Sequence, residues 1–116
     1  MKYSFHPVAE RELNEAIDYY NECQDGLGLE FVKESYSTIQ NILSFPRAWT
    51  PLSKNTRRCL LNRFPYGVIY QVTDDEIFII AVMQLNRAPE YWSKRKYQIR
   101  VAALQILSPR PLHKEI

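Results

Sequence analysis

The spacing of apolar residues changes once along this chain, and the change limits it to a mixture of helices followed by strands. Ala9, Leu13, Ala16, Ile17 and Tyr20 recur every three or four residues, with Glu10, Glu12, Glu15, Asp18 and Glu22 on the other faces. This is the pattern of an amphipathic helix with acidic solvent sides. Pro7 suits its first turn, where the missing N–H has no partner to lose. "QDGLG" interrupts the period, and from about Leu29 a second helix carries a stripe of Val32, Tyr36, Ile39 and Leu43, widened by Phe31 and Ile42 and ended at Phe45-Pro46. So short a connection predicts an antiparallel helical hairpin.

Beyond "PRAWTPLSKNT", a loop with two prolines and no period, the pattern is that of strands. "RRCLLNRF", "GVIYQVT" and "EIFIIAVMQ" are β-branched and aromatic runs separated by Pro65-Tyr66-Gly67 and by Asp74-Asp75. They predict a three-stranded antiparallel meander. The run IFIIAV is apolar on both faces, so its strand is central, with helices over one side. "KYSF" near the N-terminus is a further short strand. Pro89 then opens another helix, with Trp92, Ile99, Ala103 and Ile106 at helical spacing, and Pro109 and Pro111 close it. The expected architecture is α+β, β-α-α-β-β-β-α: an antiparallel β-sheet with an N-terminal helical hairpin.

A chain of 116 residues is expected to form one domain whose core needs no metal or disulfide. Cys23 and Cys59 are far apart and have no partner at a metal-ligand spacing, so they read as free thiols, and no cofactor is expected. The N-terminal MKYSFHPVAERE lacks the apolar stretch of a secretory signal and no run reaches the length of a membrane span, so a cytoplasmic protein is the expectation. Charge is unevenly divided. Residues 1–46 hold three Lys/Arg against eight Asp/Glu, a net of −5, and residues 47–116 hold twelve against five, a net of +7. A positive half of this kind attracts a polyanion or an acidic protein through its summed field.

In this element order, the strings "FPYGVIYQV", "IIAVMQLNR" and "PEYW" resemble the RelE/ParE superfamily, the toxins of type II toxin–antitoxin (plasmid stabilisation) modules. The resemblance covers residues 2 to about 96. It is most specific from Arg63 to Arg95, where an Arg-Phe-Pro-Tyr corner, a Tyr-x-Val strand, an acidic hairpin, an Ile-x-Ala-Val strand and Arg-x-Pro-x-Tyr-Trp follow in register. Residues 1–96 would then form the toxin domain and 97–116 a C-terminal extension, helical and then irregular, on which the resemblance is silent.

Two activities are implied. RelE-like members cleave mRNA in the ribosomal A site without a metal, and ParE-like members poison DNA gyrase and cleave nothing. Cleavage needs cations for the charge on phosphorus and groups that move protons between the attacking 2′-OH and the leaving oxygen. Ribonuclease members resembling RelE carry an arginine where this chain has Gly67 and a further basic residue where it has Leu85, and many relatives carry a histidine where it has Gln84. His6 and His113 lie elsewhere in the sequence. The resemblance therefore favours a ParE-like toxin that binds a large target and is neutralised by an acidic antitoxin. The alternatives are a ribonuclease with a substituted site and a degenerate toxin that keeps only antitoxin binding.

The site residues expected for phosphoryl chemistry are Arg63, Arg87 and Tyr91, with Tyr91 matching the C-terminal tyrosine of RelE-like members. Arg57, Arg58, Lys94 and Arg95 are expected to hold a nucleic acid or another target, because arginines beside aromatic residues hold phosphates and stack bases. Trp92 reads as core. Phe64-Pro65-Tyr66-Gly67 reads as a structural corner in which Gly67 tolerates a positive φ. Arg63 is expected on the rim of the sheet in one cationic patch with Arg87, Lys94 and Arg95. The apolar second half of the last helix, with Ile99, Ala102, Ala103, Ile106 and Leu107, must be buried against its own sheet or another chain, which would make the tail a site of homo-oligomerisation or antitoxin docking.

Overall fold

The computed structural model describes residues 1–87 and 91–95. Strand β1 (Lys2–Phe5) leads into helix α1 (Pro7–Cys23), and three residues later α2 runs over Leu27–Ser44. Strands β2 (Thr50–Pro51), β3 (Thr56–Leu60), β4 (Tyr66–Val72) and β5 (Glu76–Gln84) follow, with a single 3-10 turn at Ser93–Arg95. The α+β class and the strand and helix order agree with the sequence pattern. The expected last helix falls mostly outside the described residues.

Each helix begins and ends for a local reason. His6 caps α1: its Nδ1 accepts the Val8 N–H at 3.1 Å, and Pro7 fills the first helical position. Gly26, at φ 84°, makes the left-handed residue between the helices that a side chain would resist. Gly28 then lets α2 approach α1, its N–H donating to Asn21 Oδ1 at 2.9 Å, where an added Cβ would meet the Asn21 side chain at 2.5 Å. The buried face of α2 is rotated from the expected stripe. It carries Phe31, Ser35, Thr38, Ile39 and Ile42, while Tyr36 is exposed. Thr38 is tolerated inside because its hydroxyl donates to the Glu34 carbonyl one turn back, at 2.8 Å.

The sheet has the order β1-β5-β4-β3-β2, with β1 parallel to β5 and the remaining pairs antiparallel. The parallel pair makes the sheet mixed, and β5 is an interior strand, as its two apolar faces require. Between Ile69 and Tyr70 the partners jump from Ala81 to Ile79, so Ile80 is the extra residue of a β-bulge. Ile80 and Ala81 consequently share one face of the sheet. On the helix side, Val68, Tyr70, Ile77, Ile79, Val82 and Cys59 join Ala9, Leu13, Phe31 and Ile39 in the main core. The opposite face carries a second cluster of Ile69, Phe78, Ile80, Ala81 and Met83, to which Trp92 belongs. Trp92 is therefore core, as its spacing suggests. Both cysteines are free, Cys23 exposed and Cys59 buried.

Two local expectations are corrected. Strand β3 stops at Leu60, so Arg63 stands in the loop before β4 and not in a strand. Gly67 lies within β4, and Gly26 is the positive-φ glycine among the described residues. What fixes the Phe64-Pro65-Tyr66 corner is aromatic packing: Phe64 meets Tyr20 at 4.9 Å and Phe31 at 5.0 Å, and Tyr66 meets Phe31 at 5.0 Å, all edge to face. The corner is thereby fastened to the helical hairpin.

Candidate functional site

Strand β1 reaches only as far as Ile79 along β5, so among the described residues the edge of β5 beyond it has no partner strand. Side chains take its place. Glu12 of α1 accepts the Val82 N–H at 3.1 Å, and Arg95 donates through Nη1 to the Ile80 carbonyl at 3.1 Å. The same Nη1 reaches Glu12 Oε1 at 3.0 Å, while Glu12 Oε2 accepts the Tyr91 hydroxyl at 2.7 Å. One carboxylate thus receives a backbone amide, a phenol and a guanidinium at the rim of the sheet. The Tyr91 ring meets two cations, with the Arg87 guanidinium 4.0 Å and that of Arg95 4.9 Å from its centroid.

Burial raises the Tyr91 phenol above its ordinary range, and its hydrogen bond to Glu12 and the charge there raise it further. Tyr91 is thereby held protonated as a donor. Glu12 itself was expected on the solvent side of α1. It instead completes the buried stripe, three residues after Ala9 and four before Ala16, and that spacing was the signal that could have found it.

Next to this cluster a cleft of about 240 Å³ is lined by Glu12, Glu15, Tyr19, Tyr66, Gln84 and Arg87, among others. Burial pushes up the Tyr66 phenol as well. His6 belongs to the same electrostatic neighbourhood: burial lowers its pKa and the Arg95 charge lowers it further. The cleft therefore offers one guanidinium and protonated phenols, facing two glutamates.

Arg63 lies elsewhere, against α2. Its guanidinium meets Glu30 at 2.7 Å and Glu34 at 3.2 Å, and its backbone N–H donates to Glu34 at 2.8 Å, as does that of Asn62. These residues line an open depression of about 520 Å³ with Lys33 and Ser37, separate from the Arg87 cleft. With two carboxylates on one guanidinium, the group has a net charge of −1. Of the remaining expected residues, Arg57 donates to the Trp49 carbonyl at 2.8 Å and ties the loop before β2 to the sheet. Arg58 projects to the face away from the helices and has a buried Nε that finds no hydrogen-bond partner among the described residues. Lys94 lies in the turn at Ser93–Arg95. The structure brings together Arg87, Tyr91 and Arg95, and it sets Arg57, Arg58 and Arg63 apart from them.

The family model described as the ParE toxin of type II toxin-antitoxin system, parDE, matches residues 3–89. The chain belongs to the ParE toxin family. A ParE-family chain is a toxin of a type II toxin–antitoxin system, and the match runs from β1 past the end of β5, including Arg63 and Arg87. Tyr91 and Arg95 lie just beyond it. A solved structure described as the chromosomal ParDE TA system from P. aeruginosa has the same fold, with a TM-score of 0.65 at 17% sequence identity over 74% of this chain and 97% of that one. No curated protein matches the sequence. Among the described residues, no helix of this ParE-family chain is long and apolar enough to cross a membrane, and no group of His, Cys, Asp and Glu is placed to hold a metal ion.

Proposed function

We propose that this ParE-family toxin acts by binding a large cellular target, DNA gyrase, and that an acidic antitoxin neutralises it. The observation that carries the reading is the state of Tyr91, whose hydroxyl is donated into the Glu12 carboxylate and held protonated there. A phenol so engaged is poorly placed to exchange a proton with a ribose hydroxyl. Gly67, Leu85 and Gln84 supply no acid, base or cation in its stead. Binding needs only a shaped, charged surface, and Arg87, open to the cleft and stacked on Tyr91, contributes a cation to one. Arg63 serves the fold in this reading. The unit that acts is residues 1–96, of which positions 47–96 hold nine Lys/Arg against four Asp/Glu, a net of +5 that suits an antitoxin segment rich in Asp and Glu that orders on binding.

Gyrase supercoiling with the purified protein, run alongside a map of mRNA 5′ ends after induction in cells, tests the reading. Inhibition of supercoiling with an unchanged pattern of 5′ ends is expected, as is co-purification with the product of an adjacent acidic reading frame. New 5′ ends in register with codons, lost in both Arg87→Ala and Tyr91→Phe, would overturn it in favour of the ribonuclease.

A further inference from the structure

Beside the bulge, two successive carbonyls of β5 accept from outside the sheet ladder. The backbone N–H of His6 donates to the Ile79 carbonyl at 2.8 Å, and Arg95 Nη1 donates to the Ile80 carbonyl at 3.1 Å. His6 thus closes the pairing of β1, and Arg95 takes up the edge one residue on. The His6 side chain is committed as well. Its Nδ1 accepts the Val8 N–H at 3.1 Å, and its ring meets that of Phe78 at 6.2 Å, in the cluster to which Trp92 belongs. An accepting Nδ1 leaves the proton on Nε2, so this cap exists only while the imidazole is neutral. Protonation would turn the acceptor into a donor and leave the first turn of α1 without its cap. Among the described residues, the charges that act on the ring are Arg95 after β5 and Glu12 and Arg11 on α1, while β5 contributes the uncharged Phe78 ring. Glu12 already holds the Arg95 guanidinium at 3.0 Å, so an imidazolium would have to share that carboxylate.

We propose that His6 is a proton-sensitive support for Arg95: the neutral ring lets the guanidinium sit on the Ile80 carbonyl and Glu12, and its protonation drives Arg95 off and loosens Tyr91. The inference does not depend on what the toxin targets. Burial opposes the charged ring most, the Arg95 and Arg11 charges add to this, and Glu12 acts the other way, so that His6 titrates below 6.5. A ring that the fold keeps neutral contributes stability that is fully present above 6.5 and is lost as pH falls through the lowered folded value. The segment yields before the helix does. Helix α1 is anchored in the main core by Ala9, Leu13 and Ala16, whereas residues 91–95 are held by Glu12, the Ile80 carbonyl and the packing of two aromatic rings. Tyr91 carries the Arg87 guanidinium at 4.0 Å, so the cation beside the cleft is ordered at neutral pH and loosened in mild acid.

NMR of the full chain, followed from about pH 7.5 to about 5, tests the proposal across the range in which a histidine changes charge. His113→Gln leaves His6 as the one histidine of the sequence. In that background the His6 ring should titrate with a midpoint below 6.5, and the ring signals of Tyr91 and Trp92 should move with it toward those of a released segment. His6→Asn keeps a side-chain oxygen for the Val8 amide and cannot take up the proton, so the movement of Tyr91 and Trp92 should vanish. An unchanged movement in His6→Asn would assign the acid response to the Glu12 carboxylate and overturn the proposal. A His6 ring that titrates while Tyr91 and Trp92 stay in place would overturn it as well. Arg95→Gln decides the matter if His6→Asn folds poorly, because it keeps a donor for the Ile80 carbonyl and removes the charge. The His6 midpoint should then rise, and an unshifted midpoint would show that the ring and Arg95 act independently.

Discussion

Arg95 and Arg63 each meet a glutamate carried by the helical hairpin, but the two clusters stand at opposite exposures. Arg95 and Glu12 keep 15% and 12% of their side-chain surface, whereas Arg63 keeps 59%. Around Glu12 the partners fill a vacancy in the sheet, so each lost donor leaves a buried group unsatisfied. Around Arg63, water can replace the guanidinium. The difference teaches that arginine–glutamate pairs of similar length act in unlike ways: the first holds the segment after β5 in place, and the second trims a surface already held by backbone hydrogen bonds and aromatic packing.

Glu12→Ala should be the most damaging change. It strands the Val82 amide, the Tyr91 hydroxyl and a nearly buried guanidinium at once, and such losses cost about 3 kcal/mol or more. Urea unfolding would measure it, and the signals of Tyr91 and Trp92 should become those of a segment released from the sheet. A loss as small as that of an exposed charge would mean that the two clusters are equivalent and would break the comparison.

Tyr91→Phe sharpens it at intermediate size. The ring keeps its contacts with Arg87 and Arg95 while the carboxylate loses one of three donors, which should cost about 1.5 kcal/mol. Under the binding reading, toxicity should fall only as far as the segment loosens. Complete loss of toxicity at unchanged stability would return Tyr91 to a chemical role.

Much of this arrangement was legible in the residues. The period change separates hairpin from meander, Pro7 and Gly26 mark helix ends by backbone chemistry alone, and the two apolar faces of β5 announce an interior strand. Three features were hidden for physical reasons. Ser35 and Thr38 occupy core positions of α2, so a stripe drawn through apolar residues alone comes out rotated toward Tyr36. The bulge at Ile80 leaves no trace in a run whose neighbours are all apolar. Glu12 looks like a solvent residue until it is known that β1 stops short on β5, and that is a fact of pairing between segments more than 70 residues apart. For the candidate site, Arg87 and Tyr91 are singled out by the resemblance, while the partners that set their state could come only from the fold.

Arg63→Ala should have the smallest effect on stability, and the pH dependence shows why. Burial pushes the Glu34 carboxyl up, but the amide and guanidinium of Arg63 and the amide of Asn62 donate to it and hold it below the ordinary value of 4.5. A carboxyl whose folded pKa is depressed contributes stability that is fully present above 4.5 and is lost as pH falls through the folded value. Two of the three groups that depress it are backbone N–H donors, which Arg63→Ala retains. The acid limb of a plot of Tm against pH should therefore survive in Arg63→Ala and flatten in Glu34→Gln, which removes the titrating group. Should Arg63→Ala flatten the limb as far as Glu34→Gln does, the guanidinium and not the loop backbone would be what holds Glu34, and the exposed cluster would have to be read like the buried one.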